Sequence, residues 1–136
     1  MKRVLIFALF FSVVFALGCS KGNIQLGGTV TFEDGTPLTV GAVCFSTDSF
    51  MASGNIDSHG KYVMGSYGVN DGLPKGTYKI YISGATEEIS GRGGISMYSL
   101  IDPRFADYSS TPLTCEIPAP NNTFDIKVPQ NPQSKP

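Results

Sequence analysis

Apolar and polar residues alternate along several short stretches of the chain, which is the period of strands that bury one face. In the first stretch Leu26, Val30 and Phe32 share one parity. The clearest alternation covers residues 77–83, where aromatic and aliphatic side chains take every second position. The pattern predicts seven short strands, beginning near Leu26, Val43, Ala52, Lys61, Thr77, Leu113 and Thr123.

Turn-forming residues separate these stretches and favour a single all-β domain. Gly60 ends the cluster 57–60, where a short hairpin loop often needs a positive φ. The segment from Gly84 to Gly94 contains four glycines and is interpreted as a mobile loop. One helical turn is conceivable over Ser96 to Ile101. Seven strands with such turns predict a Greek-key β-sandwich of the transthyretin-like or immunoglobulin-like type.

The first residues have the pattern of a secretory leader. Lys2 and Arg3 precede an apolar run from Val4 to Leu17 that is broken only by Ser12. As a helix, these 14 residues would reach about 21 Å, short of the roughly 30 Å hydrocarbon core of a bilayer. A signal peptide over residues 1–18 is therefore expected, and a membrane span is not.

The end of the leader, Ala16 to Cys19, resembles the lipobox of bacterial lipoproteins. The resemblance implies acylation of the Cys19 thiol, which would anchor the chain to a membrane surface. Ala16 departs from the usual leucine, and cleavage by the ordinary signal peptidase is the alternative. Ser20, a neutral residue, resembles an outer-membrane sorting signal. The expected location is the cell envelope, with the outer membrane or a periplasmic face favoured.

These boundaries divide the rest of the chain into three parts. Residues 19–23 form a short lipidated tether and residues 24–128 form the β-sandwich domain. The segment 129–136 is rich in proline and polar residues and is predicted to be disordered.

Five motifs resemble the carboxypeptidase regulatory-like, transthyretin-like sandwich: Gly28–Val30, Asp34–Leu38, Gly41–Phe45, Ile56–Tyr62 and Leu73–Ile80. Two later ones, Ile101–Asp107 and Ser110–Thr114, resemble the C-terminal half of small lipoproteins abundant in planctomycetes and related bacteria. The resemblance covers nearly all of residues 24–128. It implies an accessory or structural module without catalytic residues.

Charge and ligand chemistry exclude several classes of function. The formal net charge is −1 and becomes −3 when Lys2 and Arg3 leave with the leader, so nucleic acid is not expected as a partner. His59 is the only histidine, and no paired-cysteine motif accompanies it, so no zinc site is predicted. Neighbouring Glu87 and Glu88 would point to opposite faces of a strand. No catalytic residue, cofactor or metal is predicted, and a hydrolase remains a remote alternative.

Two cysteines are left once Cys19 is assigned to lipid. Cys44 is out of phase with the inward Val43 and Phe45, whereas Cys115 shares the phase of its apolar neighbours. An oxidising compartment favours a disulfide between Cys44 and Cys115, but the parity opposes it unless a strand bulges. Both alternatives stay open.

The long connection from Gly84 to Pro112 contains the candidate binding surface, Tyr98, Arg104, Phe105 and Tyr108, because such side chains are enriched in binding hot spots. Alternatively, Phe105 and Tyr108 fill an open edge of the sandwich and Arg104 pairs with a nearby aspartate. The expected function is a non-catalytic envelope module that binds a protein or a glycan. A purely structural lipoprotein is the alternative, and the sequence does not indicate the oligomeric state.

Overall fold

A computed structural model describes residues 22–133 and shows an all-β domain. Its strands are β1 (Gly27–Phe32), β2 (Ala42–Ser46), β3 (Met51–Asn55), β4 (Lys61–Val63), β5 (Gly76–Ser83), β6 (Thr86–Gly91), β7 (Gly94–Ser99), β8 (Leu113–Ile117) and β9 (Ile126–Val128). Two short 3-10 turns cover Pro103–Ala106 and Pro120–Asn122. In residues 22–133, no helix has the length and hydropathy needed to cross a bilayer. The predicted leader, Cys19 and residues 134–136 lie outside the described residues.

Seven of the nine strands form two sheets that enclose one apolar interior. One sheet has the order β4-β1-β9 and the other the order β3-β2-β5-β8. The sheets meet where Ser53 and Gly65 exchange backbone hydrogen bonds of 3.0 and 2.9 Å. The predicted all-β sandwich is confirmed, although the described residues 22–133 form nine strands and not seven.

The two additional strands, β6 and β7, form a separate hairpin with the two-residue turn Arg92-Gly93. The predicted mobile loop from Gly84 to Gly94 and the helical turn over Ser96 to Ile101 were therefore wrong. No residue from Thr86 to Ser99 is fully buried. Because neither face of the ribbon is covered, its sequence lacks the apolar alternation that reveals a half-buried strand.

The interior is filled by the side chains that the alternating pattern predicts to point inward. Val43, Phe45, Ile80 and Ile82 are inaccessible to solvent. Tyr62 is also buried, and its hydroxyl donates a hydrogen bond to the carbonyl of Phe124, beside β1. Burial raises the pKa of Tyr62, so this hydroxyl keeps its proton.

Backbone hydrogen bonds continue past the predicted domain end at Val128. Asp102 N donates to Pro129 O at 3.0 Å, and Asn131 N donates to Leu100 O at 3.0 Å. The side-chain amide of Asn131 also donates to Ser99 O at 3.0 Å. The expectation of disorder from Pro129 onwards is thus not met through Asn131, because this segment pairs with the connection after β7.

Two glycines occupy positions that a side chain would disturb. Gly60 has φ of +78°, as predicted for its turn. A Cβ on Gly28 would overlap the Phe124 carbonyl oxygen and approach the Tyr62 ring to 3.1 Å. Gly28 therefore lets β1 and the chain before β9 lie close together.

We expect Gly28→Ala to destabilise the domain by about 1–3 kcal/mol, because the backbone of Phe124 must move away from β1. Urea unfolding followed by circular dichroism measures the change. Gly91→Ala is the matched control, since its Cβ would meet nothing within 4 Å. Equal stability of the two variants would show that the close approach at Gly28 does not constrain the fold.

Candidate binding surface

The four residues of the predicted binding surface occupy different environments. Tyr98 lies on β7 of the separate hairpin and is 40% exposed. Phe105 is 8% exposed and belongs to the hydrophobic core. Arg104 and Tyr108 remain accessible, but each is held by a neighbouring carboxylate. Phe105 packs in the interior, as the alternative from the sequence has it, whereas Tyr108 does not fill the sandwich and stays partly exposed.

Arg104 folds back onto its own turn. Its Nη2 lies 3.0 Å from Asp102 Oδ2, and its guanidinium carbon lies 5.8 Å from the centre of the Phe105 ring. The Asp102 carboxylate also accepts the Arg104 backbone N–H at 3.0 Å. The hydrogen bonds from Arg104, those of its side chain first, lower the pKa of Asp102. The pairing of Arg104 with a nearby aspartate, the other alternative from the sequence, is present.

Tyr108 lies against the four-stranded sheet and is fixed on three sides. Its hydroxyl donates to Asp48 Oδ1 at 2.8 Å, and this bond raises the pKa of Tyr108. Its ring meets the Tyr81 ring edge to face, with 6.4 Å between centroids and 76° between planes. Lys79 Nζ lies 4.7 Å from the centre of the Tyr108 ring. These contacts orient the aromatic pair without burying it.

The strand period explains which side chains Tyr108 meets. In β5, Tyr78, Ile80 and Ile82 are buried in the interior, so Lys79 and Tyr81 point to the opposite face. Ser46 on β2 is directly opposite Lys79 and therefore shares this outer face. Ser46 is 6% exposed, and its hydroxyl has no hydrogen-bond partner among the described residues. Because this hydroxyl is closed to solvent as well as unpaired, Ser46 adds a polar cost to the outer face but offers no group that a ligand can reach.

Two depressions flank Tyr108, and Ser46 lines both of them. Their volumes are about 470 and 210 Å³, and both open widely to solvent. Besides aromatic rings, they present the hydroxyl and charged side chains Ser46, Thr47, Asp48, Thr77, Lys79 and Thr114. We call these six residues, with Tyr81 and Tyr108, the Tyr108 surface. It combines two aromatic rings with one positive side chain, one negative side chain and several neutral hydroxyl groups.

The sequence prediction found Tyr108 but missed most of this surface. Asp48 is separated from Tyr108 by 60 positions, so no local pattern joins them. The outward parity of Lys79 and Tyr81 in the clearest predicted strand was the available signal. Their pairing with Ser46 depends on the order of strands in the sheet, which the pattern does not determine.

The histidine and the neighbouring Asp57 carboxylate take part in a turn of the backbone. His59 lies in its predicted turn, and its backbone N–H donates to Asp57 Oδ1 at 2.8 Å. Backbone hydrogen bonds from Lys61 and His59 lower the pKa of Asp57. Within residues 22–133, no three His, Cys, Asp or Glu side chains are grouped closely enough to hold a metal ion.

Cys44 and Cys115 are free thiols on opposite faces of the four-stranded sheet. Cys44 pairs across strands with Tyr81, on the outer face, and Cys115 pairs with Tyr78, on the inner face. Strand β5 lies between their strands, and the two residues face Tyr81 and Tyr78, three positions apart along it, so their backbones are roughly 14 Å apart. A disulfide needs Cα atoms within about 7 Å and side chains on the same side. The parity argument from the sequence therefore holds, and the disulfide is not formed.

Comparisons with known proteins give little support for an assignment. No protein-family model matches the chain, and no curated protein matches it. The chain is similar to a solved structure of the major pilin subunit of Bacillus cereus, with 14% sequence identity and a TM-score of 0.47. The match covers 81% of this chain but 30% of the pilin. A similarity at this level does not bear on function.

We expect mass spectrometry of the unreduced, denatured protein to find Cys44 and Cys115 separately alkylated. In the folded protein both thiols should react slowly, because they are buried and burial raises the pKa of Cys115. Denatured and folded samples are compared under the same alkylating conditions. A disulfide-linked pair of peptides in the unreduced sample would contradict the placement of the two side chains.

Proposed function

We propose that this chain is a membrane-anchored lipoprotein of the cell envelope whose β-sandwich is a non-catalytic, glycan-binding module. The anchoring rests on the lipobox-like sequence Ala16 to Cys19. The observation that carries the binding role is the edge-to-face pair of Tyr81 and Tyr108 beside two depressions that hydroxyl and charged side chains line. The non-catalytic character follows the resemblance to carboxypeptidase regulatory-like domains, whose transthyretin-like modules lack catalytic residues.

The chemistry of the Tyr108 surface favours a sugar over other small ligands. Tyrosine rings have an electron-rich face that attracts the weakly positive C–H groups of a sugar ring. Nearby exposed hydroxyl groups, those of Thr77 and Thr114, can both donate and accept hydrogen bonds with sugar hydroxyls. Such a combination of aromatic area and placed polar groups is typical of ligand sites.

The charges of the surface favour a neutral sugar. Lys79 and Asp48 line it with one charge of each sign, so the local charge is balanced. A strongly anionic glycan would gain from Lys79 but would be repelled by Asp48. A protein partner is less favoured, because Lys79 and Asp48 lie among the lining residues and charged residues are depleted at the centre of protein interfaces.

Lipidation is tested with the full-length chain and its Cys19→Ala variant, expressed in a diderm bacterium. We expect the wild-type protein to fractionate with membranes and to begin at Cys19 with added acyl mass in mass spectrometry. Cys19→Ala should lose the acyl mass and the membrane association. Wild-type protein cleaved elsewhere, with an unmodified Cys19 thiol, would identify an ordinary secreted protein and refute the anchor.

Glycan binding is tested by titrating the detergent-solubilised lipoprotein with neutral oligosaccharides from envelope polysaccharides. We expect Tyr81→Ala and Tyr108→Ala each to weaken binding about tenfold or more, since each removes an aromatic contact. Tyr98→Ala is the control, because its ring lies on the β6–β7 hairpin outside this surface.

Two results would overturn the glycan proposal. In the first, no neutral oligosaccharide binds, whereas an envelope protein binds to the wild type and does not bind to Tyr108→Ala. The other is oligosaccharide binding with equal affinity by wild type, Tyr81→Ala and Tyr108→Ala. Circular dichroism of each variant confirms that the fold is retained before affinities are compared.

A further inference from the structure

One loop displays apolar side chains that the domain leaves uncovered. Residues 66–71, here called the Tyr67 loop, follow β4 and the bridge residue Gly65. Tyr67 is 89% exposed and Val69 is 92% exposed. The Tyr67 ring meets the Phe50 ring edge to face, with 6.3 Å between centroids and 62° between planes. Two such side chains on one short loop are unusual for a surface that meets only water.

Hydrogen bonds hold the Tyr67 loop in this shape. The Asp71 carboxylate accepts the backbone N–H groups of Ser66 at 2.5 Å, Gly68 at 2.9 Å and Tyr67 at 3.1 Å. The Ser66 hydroxyl donates to Gly72 O at 2.6 Å. The backbone bonds, that from Ser66 first, lower the pKa of Asp71, so its carboxylate stays charged and engaged at neutral pH. The loop is therefore fixed with its apolar side chains outward.

The chain enters the domain beside this loop. Ile24 and Leu73 exchange backbone hydrogen bonds, with N–O distances of 2.8 and 3.0 Å. Leu73 lies two positions after Asp71, so these bonds join the start of the described chain to the base of the Tyr67 loop. The loop and the N-terminal segment consequently share one end of the sandwich.

The β6–β7 hairpin belongs to the opposite end. Antiparallel pairing links β1 to β4, β3 to β2 and β2 to β5, and Ser53 pairs antiparallel with Gly65 beyond β4. Following these pairings, β5 runs in the same direction as β1, away from the N-terminal end. The hairpin begins after Ser83, where β5 finishes.

We propose that the Tyr67 loop contacts the lipid bilayer in which the acyl chains of Cys19 are anchored. This inference rests on the proposed lipidation. From Cys19 to Ile24 the chain spans five residues, which reach at most about 18 Å when extended. That short connection brings the N-terminal end of the domain to the membrane surface and leaves the β6–β7 hairpin facing away.

The composition of the loop fits the region between water and hydrocarbon. Tyrosine is enriched at bilayer interfaces because its ring is apolar and its hydroxyl is polar. Val69 supplies a small aliphatic group beside it. Lys75 is exposed just after Leu73, but the Asp48 and Asp71 carboxylates lie at the same end, so the contact is expected to depend on Tyr67 and Val69 and not on attraction to anionic headgroups. The nearby Asp71 carboxylate is already engaged by three backbone N–H groups.

The absence of tryptophan from the chain allows a clean test. Tyr67→Trp and Tyr98→Trp variants of the full-length, acylated protein are each placed in phosphatidylcholine and phosphatidylglycerol vesicles, with and without brominated lipids. We expect Trp emission from Tyr67→Trp to shift to the blue and to lose about half or more of its intensity with brominated lipid. Emission from Tyr98→Trp, on the distal hairpin, should change little.

The acyl mass of every preparation is measured first, so that failure of the proposed lipidation can be distinguished from failure of the proposed loop contact. Missing acyl chains would refute the proposed lipidation. If the acylated Tyr67→Trp protein loses no more Trp emission with brominated lipid than Tyr98→Trp does, the proposed membrane contact of the loop is overturned. A blue shift without quenching by brominated lipid would indicate burial against a protein, such as a second copy of this chain, and would also overturn membrane contact by the loop. Val69→Trp repeats the test at a site without a ring contact should Tyr67→Trp fail to fold.

Discussion

The fold depends on a close approach between β1 and the chain that leads into β9. Gly28 leaves room for the Phe124 carbonyl, and the buried Tyr62 hydroxyl donates its hydrogen bond to that same oxygen. The contact joins the first strand of the domain to its last, so it closes the sheet β4-β1-β9 across almost the whole length of the chain. An unpaired Tyr62 hydroxyl or a displaced carbonyl would leave a polar group in the interior, where it is costly.

Side-chain alternation was sufficient to predict the class of fold and much of its interior. It identified Val43, Phe45, Ile80 and Ile82 as inward, and it placed Cys44 and Cys115 on opposite faces. It succeeded because one buried face imposes a period of two on the sequence. Where no face is buried the same signal vanishes, and the β6–β7 hairpin was therefore mistaken for a loop.

The candidate surfaces were harder to predict because they depend on long-range pairing. Ser46 meets Lys79 through the register of β2 with β5, and Tyr108 meets Asp48 across 60 positions. The parallel pairing of β1 with β9 likewise has no local signature. Hot-spot composition alone selected Tyr108, which is accessible to solvent, but also Phe105, which packs in the interior. Residue type thus indicated what the side chains could do, whereas the topology decided which of them face solvent.

The β6–β7 hairpin has a consequence for how this domain can change. Its strands contribute no fully buried side chain, while the flanking Ala85 and Ile101 are packed in the core. Length and composition over residues 87–98 are therefore decoupled from the stability of the sandwich, whereas Ser99 and Leu100 still bond to Asn131. The ribbon is a natural place for insertions, for a grafted recognition sequence or for a fluorescent tag, because the body of the domain ends at its base.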